Sequence, residues 1–399
     1  MPVLPPRGRG PPPPRREAPA APVASRPAPS SSCQTLLRER ELSWRSEDTL
    51  AALWTERHAQ SLKLAGWSAE VGDGNVDGAL LPLSLRGGEV LLTGGLRSGA
   101  AGLYEVLWAD TDSDSEEESL QAPPKLVWSG SDLSRRSQVR AACAVAQPEG
   151  AASAQACVAW LGGEGVAAVL SVCDVRHKRR TGAARIKELG TCVMRCSLWA
   201  VACSGQVALA GTSEGVASID VETLHVHHLL RQPGSDVMAV ADGLCGLRNG
   251  KVLAVDGRAG TSRLMTRLAS AVTSLSVDAH GFVACGVDGT LGLWDVRSGA
   301  LVSRYEGHVN NASLLLRHTT LGEGVVAAPG ADGVLRMWSR RGKRLTAGCE
   351  AGGGIVYSAV APGEHEGRLV MWAGGHEGLG LCVGGWKARL GVMQRWAPA

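Results

Sequence analysis

Aromatic rings are unevenly scarce in this chain: phenylalanine occurs once and tyrosine three times among 399 residues. Any core must therefore be filled mainly by Ala, Val and Leu, with 52 glycines to turn the backbone between them. An excess of one charge is also missing. The 41 Lys and Arg against 38 Asp and Glu leave a formal +3, so no global field draws the chain to nucleic acid or to an anionic membrane. There is no CxxC pair. The eleven cysteines, an odd number scattered from Cys33 to Cys382, lack the rhythm of a disulfide scaffold, and no apolar signal-peptide core opens the sequence. A reducing compartment, nuclear or cytoplasmic, is expected. The cysteines closest in sequence, Cys192, Cys196 and Cys203, have no His ladder beside them. They are expected to be small buried hydrophobes, with no metal and no other cofactor. The longest uncharged run, Cys196 to Ser213, is broken by Ser, Gly and Gln at its centre, which argues against a membrane span.

Tryptophan is the exception to the aromatic poverty, with 12 residues, each needing a packed ring and a bonded N–H. Length alone points to two or three domains, but the chain divides differently. Residues 1–32 hold more than half of the 19 prolines with five Arg and one Glu, a composition that builds no core and reads as a disordered tail. Its "PPPPRR" satisfies a PxxPxR docking pattern, although so Pro-biased a tail produces such strings by composition. The acid-poor, Arg- and Ala-rich start also shares features with organelle transit peptides, while its prolines oppose an amphipathic helix. Over 33–66 strong helix formers replace proline. Leu36, Leu37 and Trp44 share one helical face; Ser46, Glu47 and Asp48 form an acidic start; and Leu50, Leu53, Trp54 and Leu64 make a second stripe. A helix-loop-helix this small needs a surface to lie on, either the following domain or a partner.

From 67 to 399 short apolar strands alternate with Gly and Asp. One phrase, a Gly turn followed by a hydrophobic strand ending in Trp or a substitute, recurs at 101–110, 164–176, 214–224, 249–260, 288–299, 332–343 and 377–390. After the first long interval the starts are 50, 35, 39, 44 and 45 residues apart, near the roughly 40–45 of WD repeats. An all-β, seven-bladed WD-repeat β-propeller is expected, each blade burying its faces only by stacking in a ring. The long interval contains an acidic loop at 110–119, "DTDSDSEEES", where Ser113 and Ser115 each have Glu three positions on and would suit an acid-directed kinase. The simpler reading is a solvated charged loop.

The stretch "VACGVDGTLGLWDVRSGALVSRYEGHVNN", 283–311, concentrates the motif chemistry. Asp288-Gly289 suits a hairpin turn. Trp294 falls on the third strand, where WD repeats use an indole in a bonded tetrad with a turn Asp and a His. Gly307-His308 supplies that dipeptide for the next blade, with Asp332 and Trp338. These five residues, Asp288, Trp294, His308, Asp332 and Trp338, are expected to be repeat architecture. Arg297 is not required by a tetrad, and its planar fork suits a carboxylate or carbonyls. Asp174 and Arg176 repeat the spacing of Asp295 and Arg297, with Cys173 in place of Trp, and the two arginines are expected to share a basic ledge.

The string "ACGVDGTLGLWDVR" resembles the WDxR box of WD-repeat substrate receptors of cullin-4 ubiquitin ligases. The helical segment resembles, by position and pattern, the helix-loop-helix of such receptors, and the tract 303–345 with 247–260 and 270–277 is similar to the last blades of one of them. The resemblance implies docking of the damaged-DNA-binding adaptor subunit through Asp295, Arg297, Asp174 and Arg176, with Leu36, Leu37 and Trp44 as a helix anchor. It implies presentation of an unidentified protein substrate, with no chemistry by the receptor itself. A scaffold of a nuclear or ribosome-assembly complex would use the same faces, and a propeller hydrolase would need a polar cluster at the channel mouth. Three enzyme-like strings are set aside. "GTSEG", 211–215, lacks the helix of a nucleophile elbow; "HVHH", 225–228, has no third ligand type beside it; "GEGVVA", 322–327, has no following helix.

Overall fold

The structure, a computed structural model, describes residues 62–384 apart from 69–77, 86–87, 96–100, 107–124, 130–137, 146–151, 162–166, 179–182, 232–234, 257–258, 279–280, 312–314, 322–323, 341, 343, 346–348, 351–356, 366–367 and 376–377. The tail 1–32, helix residues Leu36, Leu37 and Trp44, and the acidic loop with Ser113 and Ser115 lie outside the described residues.

The described chain is an all-β propeller of four-stranded antiparallel sheets, seven in the strand order. The first sheet holds β2 (Ala79–Leu85), β3 (Gly88–Gly94), β4 (Ala101–Val106) and β5 (Lys125–Ser129). The second holds β6 (Gln138–Ala144), β7 (Ser153–Leu161), β8 (Ala168–Lys178) and β9 (Ala183–Met194). The third is β10 (Leu198–Ser204), β11 (Val207–Thr212), β12 (Gly215–Asp220) and β13 (Val226–Arg231). The fourth is β14 (Val237–Ala241), β15 (Leu244–Leu247), β16 (Lys251–Asp256) and β17 (Thr261–Arg267). The fifth is β18 (Val272–Val277), β19 (Gly281–Gly286), β20 (Leu291–Asp295) and β21 (Leu301–Arg304). The sixth is β22 (Thr319–Leu321), β23 (Val325–Pro329), β24 (Val334–Ser339) and β25 (Cys349–Glu350). The seventh combines β26 (Tyr357–His365), β27 (Arg368–Gly375) and β28 (Gly378–Gly384) with β1 (Leu62–Ser68) from the other end of the chain.

That last pairing corrects a boundary. Leu64, expected on the second helical stripe, pairs with Cys382 in a strand: the open edge of β28 offers backbone pairing within a packed sheet, whereas so short a helix is only marginally stable by itself. The sheet region thus begins at Leu62 rather than residue 67.

Each of the seven recurring phrases falls on the third strand of a different sheet, β4, β8, β12, β16, β20, β24 and β28, with β8 alone running two residues past its phrase. Between the sheets lie the cores. Val90 and Leu103 pack with Val139 and Trp160; Leu170 and Val172 with Leu198 and Ile219; Val216 with Val237 and Cys245. Val252 and Met265 meet Phe282 and Trp294, and Val283 and Tyr305 meet Val326 and Trp338. The seventh sheet is tied to the first by the Trp372 indole, which donates to Glu89 Oε1 at 3.1 Å. An aromatic-poor sequence fills these wedges mainly with small aliphatic side chains: one or two large rings sit at three of these interfaces and none at the two around the third sheet.

Candidate functional site

Trp294 is buried at the end of β20 and stacks on Phe282, the sole phenylalanine, with centroids 5.8 Å apart. The next residue ends the strand. Asp295 Oδ1 accepts from Arg297 N at 3.1 Å, Ser298 N at 2.7 Å and Ser298 Oγ at 2.8 Å, and Gly299 N donates to Asp295 O at 2.9 Å. The Ser298 N–H and hydroxyl, with the Arg297 N–H, hold the Asp295 carboxyl below the usual carboxylate range. Gly299 closes the turn at φ +70°, where a Cβ would collide with the Met265 carbonyl oxygen.

The same device recurs, and at Asp220 it does so without an arginine. Asp220 Oδ1 accepts from Glu222 N at 3.1 Å, Thr223 N at 2.7 Å and Thr223 Oγ1 at 2.8 Å, with Leu224 at φ 57° in the place of Gly299. Asp256 Oδ1 likewise accepts from Ala259 N at 3.1 Å. The aspartate is therefore joinery between third and fourth strands. Arg297 is left as an exposed side chain on that turn, required by none of these bonds.

Around Arg297 the neighbouring sheets add charge that the sequence pattern did not single out. From the fourth sheet, exposed Arg263 donates through Nη2 to the Arg297 carbonyl at 3.5 Å and touches Met265 Sδ at 3.2 Å. From the sixth, Arg340 Nη2 meets Asp278 Oδ1 of the fifth at 2.5 Å, and Asp278 also accepts from Gly281 N at 2.9 Å. Leu264, Leu301 and Val302 are exposed on the outer strands β17 and β21. Arginines beside exposed aliphatic side chains, on turns held rigid by carboxylates, can grip an acidic or carbonyl-rich partner surface. One sequence signal was available: Asp256-Gly257-Arg258 repeats the Asp-x-Arg spacing, although Arg258 lies outside the described residues.

Asp174 and Arg176 depart from the expected copy of this turn. β8 runs on to Lys178, so both sit within a strand, where Asp174 is buried and Arg176 Nε donates to its Oδ2 at 2.6 Å. The Arg176 side chain is 69% exposed. Alternation puts i and i+2 on one face, which makes the arginine the aspartate's own counter-ion. The second and fifth sheets are separated by the third and fourth, and the arginine that reaches the Arg297 backbone is Arg263 of the fourth.

The tetrad is also rebuilt. Asp332 is held by Arg336, whose Nη1 and Nη2 reach its two oxygens at 2.8 and 2.5 Å. His308 Nδ1 and Nε2 instead lie 3.1 Å from Gly289 O and Pro329 O respectively; burial pushes its imidazole down toward the neutral form, whose single N–H donates to one of these carbonyls. The Trp338 indole is fully buried and donates to Glu306 O at 3.0 Å. In the fifth sheet Asp288 Oδ1 accepts from Thr290 N at 3.0 Å while its own N–H donates to Ser270 Oγ at 3.1 Å. In the sixth sheet, Arg336 holds Asp332 where a tetrad histidine was expected, and backbone carbonyls are the partners of His308 and Trp338.

A Ser–His pair does occur. His318 Nδ1 is 2.6 Å from Ser274 Oγ and Nε2 is 2.9 Å from Ser276 Oγ. Burial pushes the imidazole down to about 3, so it is too weak a base near neutral pH to activate a serine. It bridges the fifth and sixth sheets. Ser213 of "GTSEG" lies between strands β11 and β12 and accepts from Ser197 N at 3.2 Å; His225 and His227 are exposed, rings edge to face at 4.4 Å. No helix among the described residues is long and apolar enough to cross a membrane.

No family model matches the chain. Three curated proteins are similar to part of it. Human "DDB1- and CUL4-associated factor 4-like protein 2" is 41% identical over 109 residues, 25% of this chain and 28% of that protein. Human "DDB1- and CUL4-associated factor 4" is 38% identical over 107 residues, 25% of this chain and 22% of that protein. The bovine protein of that name is 37% identical over 101 residues, 24% and 20% of the respective chains. The match therefore spans about a quarter of the length of these relatives. Among solved structures, the computationally designed Ika8 protein aligns at TM-score 0.49 and 14% identity, covering 80% of this chain and 100% of that one.

Proposed function

We propose that this chain is a seven-bladed WD-repeat substrate receptor of a cullin-4 ubiquitin ligase, docking DDB1 and presenting a protein substrate, without chemistry of its own. The observation that carries the reading is the similarity to three proteins named for association with DDB1 and CUL4. Its local support is the Asp295 turn, which holds an exposed Arg297 on a rigid base. In this reading Arg297 is the principal adaptor contact and Asp295 shapes the turn beneath it. Arg176, with Asp174 as its counter-ion, gives a second contact on the second sheet. Leu36, Leu37 and Trp44 form the helical anchor. Substrates occupy the opposite end, near the Asp288 and Asp332 turns. Holding a substrate lysine beside a ubiquitin-loaded enzyme raises its effective concentration, and that is the whole mechanism. The site of action is nuclear or cytoplasmic.

The test is co-elution of the purified chain with DDB1 on size exclusion, beside a version beginning at residue 62. The cut spares β1, whose loss would open the seventh sheet. A stable complex that weakens with the truncation supports both docking elements. A well-folded full chain that never co-elutes overturns the reading in favour of a scaffold in another assembly.

A further inference from the structure

The sequence places Cys203 nearest to Cys192 and Cys196, but the fold gives it different companions. Cys143 on β6 stands directly opposite Cys157 on β7. Cys203, on β10 of the adjacent sheet, approaches Cys143 with a sulfur–sulfur distance of 3.0 Å. All three sulfurs lie within 4.8 Å of one another. Cys157 is buried, while Cys143 and Cys203 are half-buried, so the trio has an apolar back and a way in. Ala141, Val145, Leu198 and Ala208 belong to the same cluster. Two of these cysteines come from the second sheet and one from the third, and only the assembled ring brings them together.

Among the described residues no His or carboxylate joins these three sulfurs, a donor set that selects strongly among metal ions. Among the described residues, this is the only group of three or more ligating side chains with its donor atoms so close together. A structural zinc site takes four ligands. Thiolates otherwise favour soft cations, Cu(I) above all, and a planar site with metal–sulfur bonds of about 2.3 Å needs sulfurs about 4 Å apart. The spacing here, from 3.0 Å up to no more than 4.8 Å, brackets that value. The exposed turn Gly205–Gln206 lies one residue beyond Cys203, after exposed Ser204, offering an entry path.

We propose that Cys143, Cys157 and Cys203 form a three-sulfur site for one Cu(I) ion, clasping the second and third sheets together. Binding exchanges the thiol protons, released to solvent, for the cation. Copper stays Cu(I) and no electron is transferred. The ion then acts as a cross-link present only in the folded ring, so it raises the melting temperature in proportion to the logarithm of free Cu(I).

The experiment uses the full chain under anaerobic conditions with Cu(I) supplied in a competing chelator. The wild type is expected to retain one Cu(I) that Cys203→Ser does not, with an X-ray absorption spectrum of three sulfurs. In the wild type, which avoids any folding defect of the variant, bound Cu(I) is expected to protect Cys143, Cys157 and Cys203 together from alkylation while half-buried Cys196 keeps its reactivity. Equal Cu(I) retention by wild type and Cys203→Ser overturns the proposal, as does protection that omits any one of the three. Zinc retained in preference, through a fourth ligand, overturns the assignment to Cu(I). A Cys143–Cys203 disulfide that forms on exposure to air and persists with Cu(I) present overturns it in favour of a redox pair.

Discussion

The Asp295 turn and the Asp174 strand carry the same three letters, Asp-Val-Arg, and use them in opposite ways. At Asp295 the chain reverses, the carboxylate is consumed by backbone and serine donors, and the arginine is left to the surface. At Asp174 the strand continues, the carboxylate is buried, and the arginine's Nε neutralises it while the rest of that side chain stays exposed. What separates them is the following residue pair. Ser298-Gly299 can bond back to the carboxylate and then adopt positive φ, whereas His177-Lys178 keeps the extended pairing with β9. A motif identified by three letters is thus decided by the next two.

Both regions sit on a ring that also buries His318, and its response to acid is the largest effect expected. Its folded value of about 3 lies below the ordinary value near 6.5, so the unfolded chain binds the extra proton. The stability it contributes is complete above about pH 6.5 and is lost toward pH 3, at about 1.4 kcal/mol per pH unit. Denaturant midpoints across that range should lose this slope in His318→Gln. An unchanged slope would show that His318 is not the buried group responsible. The Asp295 carboxyl is also held low, so its contribution is present above about pH 4 and falls below it; in acid, proteolysis should open the 295–299 turn before the β8 strand.

Next in size is Gly299→Ala, expected to cost about 2–3 kcal/mol through positive φ and the collision with Met265. Leu224→Gly, at the matching place of the Asp220 turn, relieves the positive φ but removes a side chain packed on the core, and should cost less than Gly299→Ala. Equal losses at both would erase the distinction between a glycine-requiring turn and a tolerant one. Arg176→Ala leaves Asp174 buried without its cation and should cost about 1–2 kcal/mol, since the arginine itself is largely exposed. Arg297→Ala removes nothing from the turn and should change stability by less than about 0.5 kcal/mol. A reversal of these last two in thermal melts would break the comparison.

The third strands were legible because each pairs a Gly or Asp turn with a short apolar run, and that local chemistry survives even where Cys173 or Val255 replaces Trp. What the sequence hid depends on the ring. Leu64 reads as helical among its neighbours and is a strand because β28 offers an edge. His308, Asp332 and Trp338 suit a familiar bonding set, yet Arg336 two residues before Trp338 outcompetes the histidine for the aspartate, being permanently charged and bidentate. Arg263 beside Arg297, and Cys143 and Cys157 beside Cys203, are separated in sequence and meet only across sheet boundaries.

The most direct test of the Arg297 assignment is the affinity of the full chain for DDB1, wild type against Arg297→Ala, with melting curves recorded on the same samples. The expected result is a loss of about tenfold or more in affinity, in keeping with an interface arginine, at unchanged melting temperature. Equal affinity with intact fold would contradict it and return the Trp294–Arg297 stretch to repeat joinery alone.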